Sequence, residues 1–346
     1  MSDKEQRTEI SSLGEFGLID KITGPFGKTH GDTFLGVGDD AAVIDRGDYF
    51  EVVTTDMMLE GIHFDLSYYP LEHLGYKAVS INISDVAAMN ATPKQITVNI
   101  GLSNRFSVEA VEHLYNGIRH ACEDFKVDLV GGDTTSSASG LVISVTAIGA
   151  VDKDKVALRK NAEKADLLCA TGDLGGAFVG LQILNREKQE FLANPDMQPK
   201  LDSYKFVVKR QLKPVARMDI IHELAEKEVV PKAMIDISDG LASEIMHLAQ
   251  QSGVGFTIYE DKLPIDKQTY DTAVEFNLDP ITCVLNGGED YELLFTISQE
   301  DHKKLEKHPD IHFIGYATDS KQGLNLVTKN NQVFPLKAQG WQHFNP

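Results

Sequence analysis

Four stretches of this 346-residue chain set carboxylates beside glycine or hydroxyl residues: Asp39-Asp40, Thr54-Thr55-Asp56, Asp133-Thr134 and Asp236-x-Ser238-Asp239. Asp supplies hard anionic oxygen, Ser and Thr donate to a phosphate or join a cation's shell, and Gly lets the backbone approach closely. Carboxylates this close repel one another, so each stretch is either a solvated acidic turn or part of a cage around a cation such as Mg²⁺. Four stretches with one grammar, each read at the end of an apolar strand, argue for the cage. Converging, they would hold several Mg²⁺ ions, the arrangement that neutralises a nucleoside triphosphate beside another phosphate. Arg159, with Lys160 next to it, is the candidate fixed cation for phosphate oxygens. Asp85, set among Ile83, Val86, Ala87 and Ala88, is a candidate buried carboxylate in need of a partner.

The elements that must position these groups follow from periodicity. Tyr49, Glu51 and Val53 alternate with Phe50, Val52 and Thr54, which predicts a strand that delivers Thr54, Thr55 and Asp56 to its end. Residues 71–89 have helical spacing, with Pro93 ending the helix, and 96–102 and 141–151 read as strands. Residues 108–125 form a helix capped by Ser107, with Tyr115 on its core side. VDLV is a strand leading into Gly131-Gly132-Asp133. Composition turns charged over 152–165, which marks a boundary between domains 1–152 and 153–346. Beyond it come a strand (DLLCATG), a helix through Leu184, a polar stretch over 186–203, and helical segments broken at Pro214. IDISDG then opens a helix over 241–250, and GGEDYEL precedes a strand. The mixture predicts α+β architecture in α/β layers.

The net charge is −19, of which −12 falls in residues 1–150 with 22 acidic against 10 basic side chains. Such acidity excludes a nucleic-acid backbone or an anionic membrane as partner. Cys122, Cys169 and Cys283 are far apart and form no CxxC pair, as expected of thiols in a reducing cytoplasm. MSDKEQRTEISS lacks the apolar core of a signal peptide, and no run approaches a membrane span. Two phosphate-binding look-alikes fail. Gly27-Lys28-Thr29 lacks the glycine a phosphate loop needs where Ile22 stands, and Gly36, Gly38 and Ala41 lead into a strand where a dinucleotide fold needs a helix.

GEFGLI (residues 14–19), VGDDAAV, TTDMMLEGIHF, NISDVAAM, GGDTT, IDISDGL, GGEDYEL and the terminal GWQHF together resemble the bacterial thiamine-monophosphate kinase family. That family lies within the wider aminoimidazole ribonucleotide synthetase superfamily. GEFGLI, GGEDYEL and GWQHF favour the kinase over the selenophosphate and hydrogenase-maturation branches. The resemblance implies a two-domain synthetase-like fold: an N-terminal mixed sheet with helices, pairing with its twin in a homodimer, and a C-terminal α+β domain closing over the substrates. It implies transfer of the γ-phosphoryl group of ATP to thiamine monophosphate. By motif, Asp40, Thr54, Thr55, Asp56, Asp85, Asp133, Asp236 and Asp239 fall in the Mg²⁺ cage, while Arg159, Ser238, Asp133 and Tyr115 fall on the ATP side. His63, Glu289 and Trp341 match thiamine-phosphate contacts, and Asp133, Arg159 and Asp56 are the catalytic candidates. Lys160-Asn161-Ala162-Glu163 departs from the family's pattern after Arg159. Two other readings remain: a sister ATP-using synthetase with another small acceptor, and a cation- or nucleotide-binding protein without turnover.

Overall fold

A computed structural model describes residues 9–338. Its first sheet holds β1 (Thr33–Leu35), β2 (Ala42–Asp45), β3 (Tyr49–Leu59), β4 (Thr92–Leu102), β5 (Asp128–Ser136) and β6 (Val142–Asp152), in the order β1-β2-β3-β6-β4-β5. Only the β4–β5 pair is parallel, so the sheet is mixed. After α1 (Gly14–Thr23), the helices α2 (Leu71–Ala88) and α3 (Val108–Phe125) pack together as the helical layer of this half. Alternation in β3 follows from the layering: Phe50, Val52, Thr54 and Met58 are buried, while Tyr49, Thr55 and Met57 are exposed on the other face.

The second sheet runs β13-β12-β9-β11-β7-β10-β8. Its strands are β7 (Leu167–Thr171), β8 (Ala233–Asp236), β9 (Val254–Tyr259), β10 (Leu293–Ile297), β11 (Ile311–Asp319), β12 (Leu324–Val327) and β13 (Val333–Pro335). With α4 (Gly176–Ala193), α5 (Lys205–Leu212), α6 (Met218–Glu226) and α7 (Leu241–Ser252), it makes the second α+β half. Among the described residues no helix is long and apolar enough to cross a membrane.

The helix that joins the halves is α2. Fourteen of its eighteen residues are buried, so it is not an amphipathic surface helix but one enclosed on several sides. Glycine makes its contact with α3 possible: a Cβ on Gly75 would stand 2.0 Å from the Leu114 carbonyl oxygen, and one on Gly117 1.9 Å from that of Glu72. Toward the second half, the Ser80 hydroxyl accepts from the Ala216 amide (2.9 Å), and the Ser84 hydroxyl donates to Asp236 (2.6 Å). The Tyr69 hydroxyl, just before α2, reaches the carbonyls of Gln211 and Leu212, each at 3.0 Å.

The α3 helix has the sequence-predicted bounds, with the Ser107 hydroxyl accepting from the Ala110 amide. Three local expectations are revised. First, β3 does not stop at Asp56, because Met57, Met58 and Leu59 continue the ladder with β6. Second, GGDTTS is not a turn but part of β5. Third, α2 ends well before Pro93: Asn90 takes a left-handed conformation (φ 55°), as Asn readily does, and Pro93 lies within β4 opposite Gly149.

Candidate active site

The site begins where three elements meet. Asp40 lies in the turn before β2, Asp85 near the end of α2, and Asp236 at the last position of β8. One carboxylate oxygen from each lies within 4.8 Å of the other two. Asp40 and Asp236 are buried and Asp85 is partly buried. The Thr54 hydroxyl donates to Asp85 (2.6 Å), and the Asp56 amide donates to the Asn82 side chain (3.0 Å), fixing β3 against α2. Arg159 supplies the positive charge: its guanidinium lies 2.6 Å from Asp40, and its backbone amide donates to both oxygens of Asp39 (3.2 Å each).

One arginine among this many carboxylates leaves the site short of positive charge. Burial, reinforced by Asp40, pushes Asp56 up to about 6, and the same two causes push Asp39 up to about 7. Burial followed by Asp40 raises Asp236 to about 8. Burial and the charges of Asp56, Asp236 and Asp40 hold Asp85 well above the usual carboxylate range. Asp40 Oδ2 is buried without a hydrogen-bond partner. Three converging hard oxygens, one of them on a carboxylate with an orphaned atom, are a donor set that fits a divalent cation.

The turn from β8 into α7 brings Ser238 and Asp239 to the same edge. Gly240 makes it possible at φ 118°, where a Cβ would press against the Leu285 carbonyl oxygen at 2.9 Å. Sequence reasoning missed a buried glutamate here, Glu244, whose Oε1 accepts from the Asp239 amide (2.9 Å). Its helical setting in LASEIM gives no sign of burial. The Ser238 carbonyl accepts from the Glu289 amide (2.6 Å), which ties the second-half turn to the GGED segment. Gly288, Glu289 and Tyr291 all have positive φ, a costly conformation for the two non-glycine residues and one found where a loop is held for a task.

The other sequence candidates lie apart from this cluster. Strand alternation sends Thr55 to the opposite face from Thr54 and Asp56, where its hydroxyl donates to the Val145 carbonyl and accepts from Thr146. Asp133 sits on the exposed edge strand β5; its ladder partner is Asn99, then Ser144, then Met57, which places it on the open face with Thr55. Tyr115 is on α3, packed on the core, and burial raises its hydroxyl above the usual range. His63 closes the turn after β3, its Nδ1 accepting from the Leu59 amide (3.0 Å). Trp341 lies outside the described residues.

The family described as AIR synthase related protein matches in both parts, its N-terminal domain over residues 38–151 and its C-terminal domain over 165–325. The thiamine-monophosphate kinase of Aquifex aeolicus is 34% identical to this chain, over 97% of the chain and 99% of its own length. The thiamine-monophosphate kinase of Bacillus subtilis is 32% identical over 96% of the chain and all of its own length. The chain belongs to the thiamine-monophosphate kinase family. A solved structure described as "AaThiL complexed with AMPPCP and TMP" superposes with a TM-score of 0.83 at 31% identity, covering 98% of this chain and 99% of that one. The two mixed sheets and their helices are therefore this family's fold.

Proposed function

We propose that this chain transfers the γ-phosphoryl group of ATP to thiamine monophosphate, giving thiamine diphosphate and ADP. The convergence of Asp40, Asp85 and Asp236 beside Arg159 carries the reading, in a chain that matches thiamine-monophosphate kinases along almost its whole length. The similar structure holds AMPPCP, an ATP analogue, together with TMP.

The acceptor is a phosphate monoester with a second pKa of about 6, so its attacking oxygen is ionised at neutral pH and no general base is needed. The barrier is the approach of two polyanions. Positioning and charge neutralisation are what this site offers against it. Asp40, Asp56, Asp85 and Asp236 are the residues that would hold Mg²⁺, with Thr54 orienting Asp85 and Ser84 orienting Asp236. When bound, Mg²⁺ supplies the positive charge that the carboxylates lack. Arg159 turns from Asp40 to phosphate oxygens, and Ser238 offers its hydroxyl to the nucleotide from the neighbouring turn. Glu289 faces the thiamine end. It lies beside Lys77, which precedes Asp85 by eight residues, so roughly 12 Å of helix at about 1.5 Å per residue separates the two regions. That span suits a molecule with a phosphate at one end and an aminopyrimidine at the other.

Thr55 and Asp133 lie on the open face, and we place a second copy of the chain there in a homodimer. Every residue of β5 is exposed, including Leu129 and Val130, an unprotected apolar edge that a monomer would leave open to pairing. The three free thiols suit the reducing cytoplasm. Incubation with Mg-ATP and thiamine monophosphate, followed by chromatography, tests the reaction. Thiamine diphosphate should form in step with ADP, and ADP release without it would overturn the assignment.

A further inference from the structure

We infer that Lys77 is a positioning residue for the thiamine-binding end of the site, acting through Glu289. Its ammonium group is almost fully enclosed, with 1% of the side chain exposed, and lies 3.0 Å from Glu289 Oε1. A buried lysine needs partners for its charge and its donors, and here the surroundings supply them. The Gln211 carbonyl accepts at 3.3 Å, and the ring faces of Tyr69 and Tyr291 lie 5.7 and 6.0 Å away. The other Glu289 oxygen accepts from Gln211 Nε2 at 2.6 Å. Glu289 is therefore gripped from both sides, on a backbone held at φ 59°, while 30% of its side chain stays exposed.

This arrangement changes what Glu289 can do. Its charge is already matched by Lys77, so it is not a free counter-ion waiting for a cationic ring. It is a carboxylate fixed by Lys77 and Gln211 with part of its side chain open to the site. Without Lys77 the carboxylate would be an unmatched charge free to swing, and the acceptor would lose its aligned partner. The Asp40–Arg159 pair at the other end of the site would keep its own contact. The inference rests on the proposed thiamine-phosphate reaction.

The test compares steady-state constants for Lys77→Met, Gln211→Leu, Glu289→Gln and the Lys77→Met/Glu289→Gln double variant. Lys77→Met should raise KM for thiamine monophosphate roughly tenfold or more, the scale expected when one member of a buried charge pair is removed, and change KM for ATP less than about twofold. Gln211→Leu removes no charge and keeps the test alive if Lys77→Met does not fold; it should move the same constant several-fold in the same direction. Adding Glu289→Gln to Lys77→Met should cost little more, since the two act as one unit. Equal changes in both KM values, or changes in melting temperature alone, would show a merely structural lysine and overturn the inference. A wild-type protein that makes no thiamine diphosphate would overturn the proposed function itself, and the inference with it.

Discussion

Two buried ionic clusters stand in the second half and at its junction with the first, and they have opposite balances. In one, Glu292 is held by Arg210 (2.9 Å) and Arg217 (2.5 Å) and accepts from the Thr171 hydroxyl (2.6 Å). Beside it Asp290 accepts from the Gly175 and Ala177 amides at the start of α4. In the other, Asp40, Asp85 and Asp236 converge, and among the described residues Arg159 pairs with Asp40. Acidic residues in neighbouring motifs thus have unrelated tasks. Those whose charge is met within the chain build the fold, and those left unmet await a ligand. The letters GGEDYEL span the contrast: Glu292 is held in the core by two arginines, while Glu289, paired with Lys77, keeps 30% of its side chain open to the site.

Asp85→Asn should have the largest effect. Turnover should fall by about 10³-fold, as when a preorganised charge is removed from a transition-state site, while the melting temperature holds or rises because repulsion is relieved. A variant that melts lower and still turns over would mean that the cluster is structural. The counterpart is Glu292→Gln, which leaves Arg210 and Arg217 without their shared anion. It should cost about 3 to 5 kcal/mol of stability in a denaturant titration, with kcat per folded molecule retained.

A third experiment reads the imbalance by pH. Asp56 and Asp236 stand at about 6 and about 8, above their ordinary values, so the folded protein binds those protons more tightly than the unfolded chain does. Their contribution to stability is complete below the ordinary value of 3.8 and is lost as pH rises from there to about 6 for Asp56 and about 8 for Asp236. Metal-free protein should therefore melt at falling temperature across that window, and saturating Mg²⁺ should flatten the slope; a slope that Mg²⁺ leaves untouched argues against cation binding by these groups. The smallest effect concerns Trp341→Ala. If its ring covers the thiazolium, KM for thiamine monophosphate should rise by about 1 to 2 kcal/mol in free-energy equivalent, with KM for ATP unchanged. An unchanged acceptor KM with a lowered melting point would make it an anchor for the tail.

Much of this was legible in the sequence because strand and helix periods are local. The α3 bounds, the strand nature of β3 and β6, and the turn ahead of α7 follow from spacing and caps. The cluster of Asp40, Asp85 and Asp236 was legible only as types and motifs, since the three are far apart in the chain and meet through the packing of α2 on β8. Thr55 illustrates a signal present but overridden: a period of two already separates it from Thr54 and Asp56. Lys77 had no such signal. A charged residue on a helix reads as solvated by default, and only the enclosure of α2 by both halves makes it a buried cation.

That enclosure has a consequence for how the chain comes into being. The change of composition over 152–165 separates two sheets, yet Ser80, Ser84 and Lys77 find their partners only after residues 211, 216, 236 and 289 have been made. During synthesis the first sheet would wait with its central helix half-clothed, and the mature protein should melt in one transition. A fragment cut at the composition boundary would then expose the very helix that carries Asp85.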